Sequence, residues 1–354
     1  MNRRDLIRAT VLLGISSVAL SRVRVHTEPL SAKRVSFRYD IERPYRGDVR
    51  LWIPVPVETD YQKLTGVEVK GTHRRISLHR EKVFGTPILY AEFPKDIERK
   101  RIEVKVSVEF RPRRVSMVDG SFRIPKEVRK YLEPSAHIPT EGKVRDLATE
   151  ITKGRKTMLE KAWAIYKWVA ENTYRDPEVK GCGPGDVNSL LEMLERTGKI
   201  GGKCADQSSI FIAMCRSVGI PAREVFGIRV LPSELSTSLS IKPGSTDLTK
   251  AQHCRAEFWA GEWIPVDPAD VTKVVLKERP PKDHPRVEFA KVYLFGSWDP
   301  HWVAYNWARD FVLEPEQEEK PLNFFGYPYA EVDGTPVNWL EPETFVYRIR
   351  KVSA

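Results

Sequence analysis

Strict alternation of apolar and polar positions marks the first third of the chain. Ile102, Val104, Val106, Val108 and Phe110 alternate with polar residues, and Phe37, Tyr39 and Ile41 do the same. This period of two is the signature of strands with one buried face. Leu51-Trp52-Ile53-Pro54-Val55-Pro56 reads as an edge strand limited by its prolines, because proline cannot donate to a ladder. A small antiparallel sandwich over residues 30–115 is the economical way to bury these faces.

The period then changes. Thr157-Met158-Leu159-Glu160 forms a capping box that predicts an amphipathic helix to about Asn172. Gly181-Cys182-Gly183-Pro184-Gly185-Asp186 is a loop by composition and leads to a helix around Val187 to Arg196, a candidate cleft wall. Residues 231–251 are rich in Ser, Thr, Pro and Gly, and are long enough for a lid. Beyond residue 285 come Trp298, Trp302, Tyr305, Trp307, Phe324, Phe325, Tyr327, Tyr329 and Trp339. Such irregularly spaced aromatics are more often core than the lining of a glycan or peptide groove. With the alternation in Thr344-Phe345-Val346-Tyr347-Arg348-Ile349, they predict a β-rich extension over residues 285–354, packed on the core. The fold class is α+β.

Chemistry concentrates around Cys204. Gly201-Gly202-Lys203-Cys204 precedes an apolar run with the length of a buried helix ending at Gly219. The glycines are expected to let the backbone turn sharply and to leave room for a substrate chain. Cys204 then sits at a helix N-terminus beside Lys203, where the helix dipole favours the nucleophilic thiolate. Gln252 to Trp259 alternates like a strand, Ala260-Gly261-Glu262 supplies a turn, and Trp263 to Pro268 returns. Pairing centred near Ala260 sets His253 opposite Asp267, with Cβ atoms about 5 Å apart. A carboxylate there would fix the imidazole tautomer and leave the other ring nitrogen for the Cys204 proton.

Three motifs carry a resemblance: Gly202-Lys203-Cys204, Cys215-Arg216-Ser217-Val218-Gly219-Ile220-Pro221-Ala222-Arg223-Glu224-Val225, and His253 through Asp267-Pro268. In this order, across roughly residues 140 to 275, the chain resembles the transglutaminase-like superfamily of papain-type folds, including its microbial cysteine protease-like members. The resemblance implies a papain-like core over residues 130–275 with nucleophile Cys204, general base His253 and orienting acid Asp267. The short Cys-to-His interval favours the transglutaminase-like branch over papain itself. Many members carry an aromatic two residues after the His, where this chain has Arg255. An oxyanion hole requires preset donors: the Cys204 backbone N–H is one, and Trp168, Tyr174, Asn188 and Gln207 are side-chain candidates for the other. Hydrolysis of an amide or peptide bond is expected ahead of acyl transfer to an amine, with a non-catalytic envelope scaffold as the third reading.

Asn2-Arg3-Arg4-Asp5-Leu6-Ile7-Arg8, followed by the apolar stretch Ala9 to Leu20, resembles a twin-arginine export signal over residues 1–21. The protein is therefore expected outside the cytoplasm, periplasmic or extracellular, meeting the membrane only through that signal. With Cys204 reduced, Cys182, Cys215 and Cys254 allow at most one disulfide. Cys215 is expected to be buried on the Cys204 helix, and Cys254 to point away from the face of His253. A zinc site built from the cysteines and His253 lacks a supporting Cys-x-x-Cys, so neither metal nor cofactor is expected. The net charge of +10 is scattered among acids without an arginine-aromatic array, which argues for solubility and against a nucleic-acid partner. Arg111-Pro112-Arg113-Arg114, the densest basic cluster, reads as a domain-edge linker. The expected partner is a protein or peptide substrate, with cell-wall peptide one candidate.

Overall fold

The computed structural model describes residues 32–43, 46–239, 241–278, 281–338, 340 and 347–352; the export-signal motif and Trp339 lie outside them. Six strands come first: β1 (Lys33–Arg43), β2 (Val49–Pro54), β3 (Gln62–Gly71), β4 (Arg75–Arg80), β5 (Pro87–Phe93) and β6 (Lys100–Phe110). Then follow α1 (Lys143–Ile151), α2 (Met158–Asn172), β7 (Thr173–Arg175), α3 (Val187–Thr197), β8 (Ile200–Gly202) and α4 (Cys204–Ser217). The middle of the chain continues with β9 (Ala222–Arg229), β10 (Gln252–Trp259), β11 (Trp263–Val266), α5 (Pro268–Glu278) and α6 (Pro285–Tyr293). The remaining strands are β12 (Trp302–Asn306), β13 (Arg309–Phe311), β14 (Leu322–Phe324), β15 (Tyr329–Val332), β16 (Thr335–Pro336) and β17 (Tyr347–Val352).

The alternating strands assemble into two facing sheets, ordered β17-β1-β6-β3 and β16-β15-β2-β5-β4. Phe37, Tyr39 and Ile41 from β1 and the alternating residues Ile102, Val104, Val106, Val108 and Phe110 of β6 are buried against Leu51, Ile53, Leu89 and Ala91 of the other sheet. At about 25 cal/mol per Å² of apolar area, this shared interior is the main stabilising term of the unit. The expected edge position of the Trp52 strand is corrected here, since β2 lies between β5 and β15. Pro54 is the last residue of β2, opposite Ile88, where a missing N–H interrupts no further ladder.

A third antiparallel sheet, β11-β10-β9-β12, carries the central segment, with α4 packed on β9 and β10. The capping box closes as its residues require: the Thr157 hydroxyl accepts from the Glu160 N–H at 3.1 Å, and the Glu160 carboxylate from the Thr157 N–H at 3.2 Å. Ile165, Tyr166 and Val169 of α2 and Ile210, Phe211 and Met214 of α4 share one apolar interior.

The C-terminal segment does not form a separate layer on the core. It is distributed: β12 completes the central sheet, β15 and β16 extend one sandwich sheet, and β17 extends the other. Arg309 fastens it to β9 and to the 181–186 loop, pairing with Glu224 at 2.6 Å and donating to the Gly185 carbonyl at 2.8 Å. Trp298, Trp302, Tyr305, Phe324, Phe325, Tyr327 and Tyr329 are buried, so these aromatics are core. The stretch expected as a lid is tied down, with the Leu248 N–H on the Ile349 carbonyl (2.8 Å), the Lys351 N–H on the Thr246 carbonyl (2.7 Å) and Leu239 and Leu248 buried. Among the described residues no helix is long and apolar enough to cross a membrane.

Candidate active site

Cys204 is the first residue of α4, every residue of which is buried. The sulfur therefore sits at the positive end of the helix in a dry setting, where a partial positive charge counts most. Asp206 reaches back to accept from the Lys203 N–H and from the Gly185 N–H, each at 2.8 Å, and so clamps the 181–186 loop to the helix start. Burial pushes the Asp206 carboxyl up to about 6 against the pull of these two donors. The role expected of Gly201 and Gly202 changes. They form strand β8 beside β7, and no turn occurs at them. A Cβ on Gly202 would lie 2.6 Å from the Asp206 Cβ, and one on Gly201 2.5 Å from the Tyr174 hydroxyl, so the glycines admit neighbouring side chains.

The β10–β11 hairpin is centred one residue later than expected, pairing Trp259 with Trp263 and Ala256 with Val266 across Gly261, which has φ +88°. Extending this register sets Asp267 opposite Arg255, not His253. His253 and Arg255 are two apart and share a face, so the imidazole reaches Asp267 diagonally, with His253 Nε2 2.8 Å from Asp267 Oδ2. The other Asp267 oxygen accepts from the Asp270 N–H at 2.9 Å and caps α5. The carboxylate is thereby held from both sides.

Asp270 is the residue beside His253 that sequence reasoning missed. Its Oδ1 lies 3.3 Å from His253 Nε2, and its Oδ2 pairs with Arg229, which also binds Asp299 at 2.6 Å. Arg255 contacts Asp267 at 3.1 Å and lies over the Trp302 ring at 4.8 Å. Two buried guanidinium groups therefore face three buried carboxylates, Asp267, Asp270 and Asp299. An imidazolium at His253 neutralises the remaining negative charge. Burial works against that cation, but Asp270 and then Asp267 outweigh it and hold His253 above the usual imidazole range. Burial and Asp270 raise the Asp267 carboxyl, whereas at Asp270 burial is overcome by Arg229, His253 and Arg255, which keep that carboxyl well below the usual range.

With Nε2 turned to the carboxylates, the Nδ1 side of His253 is left for Cys204. Burial alone would raise the Cys204 thiol. Hydrogen bonds from Cys182 and Cys254 and the facing His253 overcome it and hold the thiol well below its usual range. The structure thus brings Cys204, His253 and Asp267 together. It also brings in Cys254, which was expected to point away: the sulfurs of Cys182, Cys204 and Cys254 all lie within 4.8 Å of one another. The four cysteines are free, and Cys215 is fully buried in the helical interior.

Four residues stood as side-chain oxyanion donors. Trp168 is partly buried against the helical interior, Asn188 is exposed on α3, and Gln207 is fully buried with its Oε1 accepting from Thr272 at 2.8 Å. Tyr174 is 45% exposed, with its hydroxyl against Gly201.

Residues 145–268 match the transglutaminase-like superfamily. An uncharacterized protein of Haemophilus influenzae is 35% identical over 366 residues, which take in 97% of this chain and 98% of its own. The crystal structure of a candidate cysteine protease from Cytophaga hutchinsonii has the same fold, with a TM-score of 0.53 at 15% identity, over 91% of this chain and 98% of that one. The periplasmic domain of TgpA from Pseudomonas aeruginosa is more distant, with a TM-score of 0.34 at 15% identity over 74% and 93% of the two chains. The chain belongs to the transglutaminase-like superfamily.

Proposed function

We propose that the protein is an exported cysteine-dependent enzyme that cleaves an amide or peptide bond through a thioester. The carrying observation is the alignment of a helix-start cysteine with an imidazole whose far nitrogen is fixed 2.8 Å from Asp267. In this reading the Cys204 thiolate attacks the carbonyl carbon, and the developing oxyanion meets the Cys204 backbone N–H at the start of α4, with the Tyr174 hydroxyl as the side-chain donor. The His253 imidazolium gives its proton to the leaving amine. Neutral His253 then takes a proton from water, which opens the thioester and restores the ion pair. Asp267 and Asp270 keep the ring oriented and favour its cationic form.

Export rests on the twin-arginine-like start of the chain. Hydrolysis is preferred to transfer because water is always present, whereas an amine acceptor needs a site of its own. A glutamine-containing peptide, supplied with and without a labelled primary amine, tests the reaction. Ammonia release without label incorporation is expected; efficient incorporation would make the protein an acyl transferase. Iodoacetamide labelling read by intact mass tests the nucleophile: Cys204 should be alkylated first, and more slowly in His253→Ala. A Cys204 no faster than Cys215 in the folded protein defeats the reading.

A further inference from the structure

We propose that Cys182, Cys204 and Cys254 form a three-sulfur site for a zinc-like thiophilic cation, which locks the nucleophile when bound. The three sulfurs come from three separate pieces of the fold: the 181–186 loop, the start of α4 and strand β10. They lie within 4.8 Å of one another. A tetrahedral ion with metal–sulfur bonds of about 2.3 Å sets its sulfurs roughly 3.8 Å apart, so the cluster needs to contract by about 1 Å or less.

The sulfurs are also held in place. The Ala205 N–H donates to the Cys182 carbonyl at 2.9 Å, which fixes the loop cysteine to the helix start. Tyr327 donates its hydroxyl to Cys182 Sγ at 2.9 Å, the kind of outer hydrogen bond that orients a thiolate ligand. Each cysteine is only 2% exposed. An apolar role explains one buried thiol, but not three converging on one point with a hydroxyl aimed at them.

Charge and protons balance. Cys204 contributes a thiolate, while Cys182 and Cys254 each release a proton to solvent as their sulfurs bond to the dication. The resulting three-thiolate complex carries one negative charge and lies beside the His253 imidazolium. The fourth coordination position is left to water. The bound sulfur of Cys204 can no longer attack a carbonyl, so occupancy switches the enzyme off reversibly. That consequence rests on the proposed role of Cys204; cation binding itself does not.

The test uses the full chain, reduced and stripped with a chelator, and titrated with Co²⁺ as a coloured stand-in and with Zn²⁺. One Co²⁺ per chain is expected, with a thiolate-to-cobalt charge-transfer band that falls at least tenfold in affinity in each of Cys182→Ser, Cys204→Ser and Cys254→Ser. Circular dichroism melts establish that each variant is folded. Zn²⁺ should inhibit the wild type and a chelator restore it, with inhibition of Cys254→Ser needing at least tenfold more Zn²⁺ relative to its own metal-free rate. Absence of the band, or affinity unchanged in folded Cys182→Ser and Cys254→Ser, overturns the site. A band that depends on all three cysteines, together with activity that survives Cys204→Ser, would leave the site standing and remove the catalytic reading instead.

Discussion

The sandwich interior and the surroundings of β10 are both dry, yet they are built from opposite materials. Between the sandwich sheets, Val35, Phe37, Val104, Val106, Leu51 and Ile53 pack one apolar chain against another. Any one of them can be trimmed at a cost set by its own volume. On β10 the buried residues include His253, Arg255 and Glu257, none of which is stable there without named partners. Redundant contacts hold the first region and specific pairs hold the second, so equal losses of volume should have unequal consequences.

The largest effect is expected at the sulfur. Cys204→Ala removes one buried atom and should leave the melting temperature within a few degrees of wild type, while lowering kcat/KM by about 10⁴-fold or more. Turnover of a model amide by the purified, folded variant measures this. Retention of a tenth of the activity would place the nucleophile elsewhere.

Next comes the carboxylate pair. In a triad with one orienting acid, its amide replacement costs about 10⁴-fold. Here Asp270 stands 3.3 Å from the same nitrogen that Asp267 holds at 2.8 Å. Asp267→Asn should therefore cost only about 10²- to 10³-fold, and adding Asp270→Asn should bring the loss to about 10⁴-fold. Equal rates for the single and double variants would show that Asp270 gives no support.

How far each part could be read from the sequence follows from how local its cause is. The capping box of Thr157 and Glu160, the helix starting at Cys204 and the sandwich alternation depend on residues a few positions apart. His253 and Asp267 lie on one hairpin, so even a register misplaced by one turn residue left them on the same face. Asp270 was missed although Asp267-Pro268-Ala269-Asp270 carries a capping pattern: its worth comes from Arg229 on β9, which only the folded sheet brings near. Cys182 and Cys254 flank Cys204 at long and unequal intervals, and no spacing rule unites them before the loop, helix and strand meet. The same holds for the C-terminal strands, whose alternation predicts a strand but not the sheet it joins.

The ion pair sets a smaller and more directional effect, measured on metal-free, reduced protein. The folded Cys204 thiol titrates below its usual range and the folded His253 above its own. Activity should rise with pH as the thiolate forms, on a limb displaced to acid. It should fall only when the imidazolium loses its proton, on a limb displaced to alkali. Asp270 is the leading opponent of burial at His253, so Asp270→Asn should bring the alkaline limb down in pH with the acid limb moved less. A kcat/KM profile across neutral pH reads both limbs. An alkaline limb that stays in place would mean that Asp267 alone sets the charge of the ring.

The smallest effect on catalysis is expected from the sandwich. Val106 is fully buried on β6, opposite Phe37 of β1 and Val67 of β3. Val106→Ala gives up roughly 2 kcal/mol of transfer and cavity energy, which should lower the urea midpoint measurably. The sandwich interior is continuous with Cys204 and Cys254 through packed apolar residues. Close-packed interiors transmit strain, so the variant also asks whether the two regions are mechanically separate. If redundancy isolates them, kcat/KM per folded molecule stays within twofold of wild type and the pH profile does not move. A drop of tenfold in fully folded Val106→Ala would mean that the sandwich positions the nucleophile, and the contrast between redundant and specific packing would then fail where the two interiors meet.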